Sequence, residues 1–433
     1  MSLTRLLPLL LLALPALAQV PVPSPPQAKP VLITGATLHV GNGTVVPNAT
    51  VAFDKGRLTY AGPAAGFTQD RSGYEGIDAT GQHLYPGLIL PNTTLGLTEV
   101  EAIRATVDDE EVGTLNPHVR ALIAYNTDSD IPATVRTNGV LLAQATPRGG
   151  LLAGQSSVVH LDAWNWQDAV VRADDGQHLT WPQMVFRVNP NEEAAALDRR
   201  QKARETQLRD LEQLFSEASA YRQAPAGRAE NLRLAAMSGL FDGSKTLYLH
   251  ADYGKEIIEA VQFARRLGAK KIAVVGARDA WMALDFLKQN NVSVVVSRVH
   301  ALPRRDADDY DQPYKLPAQL QAAGISFCLD YQGSMETAGS RNLAFIAGTA
   351  SAFGLTKEQA LTAVTLSTAQ IMGIDKDYGS LETGKSATLV LSKGDLLDMR
   401  TNAVSRAFID GRNISLENKQ TYLEKKFRGK YGQ

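Results

Sequence analysis

The sequence predicts an α/β protein: a (β/α)8 barrel of the TIM type, with a small β-sandwich built from both chain ends. Three observations carry this. Between about residues 85 and 375, β-like and helical segments alternate. Short β-rich segments separated by Gly, Asn and Asp turn signals stand before that region and again after it. The length of 433 residues, with 44% hydrophobic and 21% charged, suits one large barrel beside a small accessory domain.

Taken in order, the chain opens on a candidate secretory leader at 1–18. Arg5 precedes an apolar core from Leu6 to Leu17, and Ala16-Leu17-Ala18 puts small residues where cleavage needs them. This predicts an exported protein, periplasmic or secreted. A Pro-rich linker follows at 19–30. The first part of the sandwich is expected over 31–84, the barrel over 85–375, the second part of the sandwich over 376–415 and a basic tail over 416–433. Barrel strands are expected at 84–90, 139–145, 157–161, 184–188, 246–250, 271–275, 292–297 and 325–330. The clearest helical patterns are 193–221, 255–267, 280–290 and 357–372. The first of these is heavily charged, with a narrow apolar stripe, and reads as a surface helix or a partner-contacting insertion. The tail carries Lys419, Lys425, Lys426, Arg428 and Lys430 and reads as a solvated helix end.

Composition excludes some partners. With 44 basic and 45 acidic residues the formal charge is -1, so nothing points to nucleic acid or to an anionic membrane surface. Beyond the leader no apolar run approaches about twenty residues, so no membrane span is expected. The single cysteine, Cys328, cannot form an internal disulfide. None of the seven histidines (39, 83, 118, 160, 178, 250 and 300) has a neighbour at His-x-His or His-x3-His spacing. His39 and His83 fall in the sandwich region and read as structural. His160 reads as a core or rim residue.

Several motifs together give a resemblance. They are Tyr85-Pro-Gly-Leu-Ile-Leu-Pro-Asn-Thr-Thr-Leu-Gly96, Leu249-His-Ala-Asp252, Arg341-Asn-Leu-Ala-Phe-Ile-Ala-Gly348, Leu361 to Gly373, and Gly379-Ser-Leu-Glu-Thr-Gly-Lys385 leading into Ala387-Thr-Leu-Val-Leu391. The chain resembles the amidohydrolase superfamily over nearly its whole mature length, closest to the imidazolonepropionase-like subgroup. Thr388 and Ser367 depart from that family's usual Asp and Asn. The resemblance implies hydrolysis of non-peptide C–N bonds, such as those of a cyclic amide, by water activated on one or two metals.

The resemblance also implies where the ligands belong, and most are missing. Asn92 and Thr94 stand where strand one should end in His-x-His, and neither is a good ligand for a zinc-type ion. The segment 184–188, taken as strand four, holds Arg187 and no Lys or Glu. His250 is the one retained ligand position, on strand five. Gly276 replaces the strand-six imidazole. On strand eight Gln332 occupies the position of the family's Asp base, and Asp330 lies two residues deeper on the same side. His300 is a further metal candidate, or a polar loop residue. Arg148, with the amides of Gly149 and Gly150, is placed to take a carboxylate, or closes a tight turn. Trp164, with Trp166, stacks on a ligand or closes the mouth. The expected function is thus an exported amidohydrolase-like hydrolase with its metal ligands largely lost. The alternative is a non-catalytic relative that binds a small polar molecule or pairs with an active homologue. No cofactor is expected; zinc or another divalent ion is expected only if the site is intact. A homo-oligomer is possible in either case.

Overall fold

The structure is a computed structural model that describes residues 22–184, 194–225, 227, 229–333 and 335–432. The candidate leader lies outside the described residues. So does the candidate strand 184–188 with Arg187, apart from Met184, which is not in a strand.

Five strands come first: β1 (Val31–His39), β2 (Val45–Asp54), β3 (Arg57–Pro63), β4 (Glu75–Asp78) and β5 (His83–Pro86). Eight barrel strands follow: β6 (Leu88–Thr93), β7 (Val140–Ala145), β8 (Leu152–His160), β9 (Val170–Thr180), β10 (Thr246–Ala251), β11 (Lys271–Gly276), β12 (Ser293–Val296) and β13 (Phe327–Leu329). The last three are β14 (Leu389–Ser392), β15 (Val404–Ile409) and β16 (Arg412–Asn413).

The two chain ends share one accessory sheet, in the order β16-β15-β14-β5-β1-β2-β3, with β4 pairing the first half of β1. The sheet curls over itself. Phe53 of β2 meets Phe408 of β15 edge to face with ring centres 5.1 Å apart, although three strands separate them in the sheet order. Leu58 N donates to Lys385 O and Ala387 N to Gly56 O, which closes the roll. The curled sheet therefore encloses its own core, as a sandwich does.

The second sheet runs β13-β12-β11-β10-β9-β8-β7-β6 and is nearly closed. Its interior carries Tyr248, Ala273, Val275, Val295 and Cys328, joined by Ile371 from the helix Leu366–Met372. That helix packs against both edge strands, β6 and β13. The helical pattern at 357–372 is in fact two helices, Lys357–Ala363 and Leu366–Met372. The break exposes Val364 O, which accepts from Ile89 N on the edge of β6. An unpaired edge amide is satisfied in this way.

Three expectations are corrected. Strand three is Leu152–His160 and runs antiparallel to both neighbours, while the other seven strands are parallel. Strand four is Val170–Thr180. Its Asp174-Asp175-Gly176 reads as a turn in sequence, yet Asp174, at φ 52, bulges inside a continuous strand. The Pro-rich segment is tied down where it is described: Ser24 N donates to Asp162 Oδ2, and Gln27 Nε2 to Phe53 O. The charged helix spans Ala194–Gln223 and buries Leu211, Leu214, Phe215 and Ala218 against the barrel.

Candidate functional site

Seven parallel strands point their C-terminal ends at one mouth, and five of the predicted residues stand there. Asn92, in the last turn of β6, holds a left-handed backbone at φ 46, which Asn tolerates better than most residues. Its Nδ2 donates to Asp330 Oδ2 at 2.7 Å, linking the two edge strands of the barrel. Arg148 sits in the hairpin between β7 and β8, where Gly149 (φ 76) and Gly150 (φ 61) make the reversal. Its Nη1 donates to Asn92 Oδ1 at 2.8 Å, and its Nη2 to Asn92 O and Glu336 Oε1, both at 2.8 Å. Thr94 N also donates to Glu336 Oε1, at 2.9 Å. The carboxylate expected at Arg148 thus comes from the chain itself, and Arg148 with Thr94 takes it.

Across the mouth stands the predicted His250, paired with His178, which sequence reading missed. His178 Nδ1 lies 2.9 Å from His250 Nε2. The His178 ring stacks on Tyr248 at 4.6 Å. Equivalent register positions on β9 and β10 place His178 beside Tyr248, two residues below His250. Burial, then the nearby Arg148 cation, pushes His250 down to about 3. Burial, His250 and Arg148 hold His178 well below the usual imidazole range. Both rings are therefore neutral at pH 7. Asp330 moves the other way. Burial and Glu336 raise it well above the usual carboxylate range, against the opposing Asn92 bond and Arg148.

Below the mouth, a buried carboxylate holds the wall together. Asp175 Oδ2 accepts from Gln144 Nε2 (2.8 Å) and Tyr248 Oη (2.9 Å), and its Oδ1 from Ser156 Oγ (2.8 Å). Gln144 Oε1 in turn accepts from Asn92 N at 3.0 Å. Strand one is thereby coupled through Gln144 and Asp175 to the tyrosine under His178. Two buried polar atoms in this region, His178 Nε2 and Asp330 Oδ1, have no hydrogen-bond partner among the described residues.

The remaining predicted residues fall elsewhere. Gln332 lies in the loop beyond β13, where its Oε1 meets Ser297 Oγ at 3.4 Å. His300 bonds to Thr349 Oγ1 at 2.7 Å, on the outer helix Leu343–Ala352, and does not join His250. Trp164 is at the wrong end. Because β8 is reversed, its last residue, His160, pairs with Leu142 near the start of β7, so the residues that follow leave from the barrel's far end. There Trp164 is 65% exposed beside a cavity lined by Arg136 and Asp162.

These donors do not fit a divalent ion. No three His, Cys, Asp or Glu residues converge as ligands among the described residues. At Gly276, φ is 93, a backbone that residues with side chains rarely adopt, and a side chain would start 2.7 Å from Asp252 Oδ1, which would have to move aside. Arg148 puts a permanent positive charge on Asn92, in the strand-one ligand position.

A family model described as "Amidohydrolase family" matches residues 236–414. An amidohydrolase of known structure from Thermotoga maritima MSB8 superposes with a TM-score of 0.76, at 21% identity, over 89% of this chain and 99% of that one. Residues 236–414 thus match the amidohydrolase family, and the fold of the chain is that of an amidohydrolase barrel. Among curated relatives, an imidazolonepropionase from Flavobacterium psychrophilum is 30% identical over 109 residues, 24% of this chain. Adenine deaminase 3 from Rhizobium meliloti is 25% identical over 406 residues, 89% of this chain. The chain spans 26% and 57% of the lengths of these two relatives. The match to the amidohydrolase model covers β10 to β16, and so includes His250 and Asp330 but neither Asn92 nor Arg148.

Proposed function

We propose that this amidohydrolase-family chain uses its barrel mouth as a metal-independent site for a small polar molecule. The observation that carries the reading is the Arg148 guanidinium on Asn92 and Glu336, a fixed cation in the place of a ligand set. A half-buried cation near two neutral imidazoles disfavours a second positive charge. It favours neutral or zwitterionic molecules that pair with His178 Nε2 and Asp330 Oδ1, the two unpartnered polar atoms. The test is a thermal-shift screen of chelator-treated protein with cyclic amides, N-acyl amino acids and cyclic dipeptides. A ligand that binds the native state raises the melting temperature. The shift should vanish in His250→Ala. Stoichiometric zinc, manganese or iron surviving dialysis would overturn the reading.

One observation favours a second reading, metal-free hydrolysis of a C–N bond. Burial and its neighbours hold His250 neutral and raise Asp330 well above the usual carboxylate range, so environment shifts the two groups in opposite directions across one mouth. A neutral imidazole can accept a hydrogen bond from an attacking water, and Asp330, where it carries a proton, can donate it to a leaving nitrogen. The names of the two curated relatives fit that bond class. Turnover of a screened ligand that is insensitive to chelators and lost in Asp330→Asn would decide for this reading over binding alone.

Export, expected from the leader motif, is proposed on the same footing. N-terminal sequencing of protein from its native host should begin at or near Gln19.

A further inference from the structure

The helix Lys419–Tyr431 is well begun but poorly supported. A capping box at Asn418 and Thr421 starts it, and Lys419 reaches Asp130. Beyond that first turn its residues are exposed. Leu423, Phe427 and Tyr431 recur every fourth residue and so lie on one face. They are 38%, 46% and 66% exposed. A lone helix of this length is marginal in water, and most helical stability comes from packing an apolar face. The helix has five basic residues against one acidic, a net of +4. Lys426 and Lys430 only overlie the neighbouring rings of Phe427 and Tyr431, with no ion pair among the described residues.

A surface of opposite character lies at the barrel mouth. The segment 98–112 has six acidic residues against one basic, a net of -5. Glu101, Asp108 and Glu110 line an open cleft that reaches Thr94, Arg148 and Glu336, and none of the three has an ion pair among the described residues. The same segment exposes Val100 (47%), Ile103 (51%) and Val112 (91%). Acidic side chains thus surround apolar ones, as basic side chains surround the helix stripe.

We propose that the C-terminal helix of one copy docks into the acidic cleft at the barrel mouth of a second copy. The exposure of the stripe shows that the helix does not fill its own cleft. The occupant is chosen by charge: opposite potentials attract and fix register, while the apolar stripe is removed from water. Two copies that exchange helices form a closed pair with two equivalent contacts. Each mouth is then roofed by its partner. The inference does not depend on which molecule the mouth binds.

Sedimentation velocity on the full chain tests it. Wild type should be dimeric at micromolar concentration, and dimerisation should weaken roughly tenfold or more from low to high salt. Lys426→Glu/Lys430→Glu should be monomeric, and so should Glu101→Lys/Asp108→Lys, with melting temperatures showing both folded. The chain carrying all four reversals should dimerise again, since both surfaces have exchanged sign. A monomeric wild type, dimers that survive either double reversal, or a fourfold variant that stays monomeric each overturn the proposal. So does a wild type that stays monomeric while its helix binds phosphatidylserine vesicles.

Discussion

Two histidine pairs in this molecule share a plan and differ in their neighbours. In the accessory sheet His39 Nε2 lies 3.1 Å from His83 Nδ1, and His39 stacks on Tyr85 at 4.4 Å. In the barrel His178 and His250 lie 2.9 Å apart, and His178 stacks on Tyr248. The first pair faces a carboxylate: His39 Nδ1 bonds to Glu358 Oε1 at 2.7 Å, from the helix Lys357–Ala363. The second faces a guanidinium, Arg148, and has no carboxylate bonded to it among the described residues. The sheet pair thus stands beside a carboxylate and the barrel pair near a guanidinium. The same two imidazoles and one phenol therefore join two layers in one place and stay uncharged in the other.

The largest test of this contrast is removal of the cation. Arg148→Met leaves Glu336 facing Asp330 without its partner, and breaking a mostly buried pair costs about 3–5 kcal/mol. Chemical denaturation should show that loss, and Arg148→Met/Glu336→Gln should recover much of it. An Arg148→Met protein as stable as wild type would remove the guanidinium from the account. Next in size is Tyr248→Phe. It takes one donor from the buried Asp175 while keeping the ring under His178, and should cost about 1–3 kcal/mol.

A pH series sharpens the comparison from the other side. His250 is depressed when folded, so its contribution to stability is full above the unfolded value of about 6.5 and is lost as pH falls toward about 3. Wild-type melting temperature should fall through that window, and His250→Gln should flatten the slope. Nitrogen-15 NMR should show His250 neutral at about pH 5. An imidazolium signal from that ring at that pH would contradict the assigned environment. The smallest effect is expected at the sheet, where Glu358→Gln should cost about 1 kcal/mol or less.

How much of this could be read in advance follows from particular residues. Strands β6, β7 and β10 to β13 were legible because their apolar runs are bounded by turn residues. Asn92, Arg148, His250 and Asp330 were legible because each ends or follows such a run. His178 and Asp175 were not, since Asp174-Asp175-Gly176 carries a strong turn signal. The donors that bury Asp175 come from Gln144, Ser156 and Tyr248 on three other strands. Glu336 begins a four-residue helix, and only the fold brings it to Arg148. Trp164 was misplaced because strand direction does not show in residue periodicity: β8 alternates alike in either sense.

The reversal of β8 has a consequence for access. A fully parallel barrel crowns its entrance with eight loops, whereas here the turn after β8 is spent at the far end and seven remain. Beside the short 146–151 hairpin, the segment 110–120 touches β8 and its approach through three isolated bridges. The entrance is therefore uneven: the segment 110–120 covers the β8 side, while the helix Ala194–Gln223 borders a second cleft beside Thr180 and Trp181. A molecule that enters by the cleft of Glu101, Asp108 and Glu110 meets Arg148 in its lining, so its orientation is set by whichever of its atoms tolerates that charge.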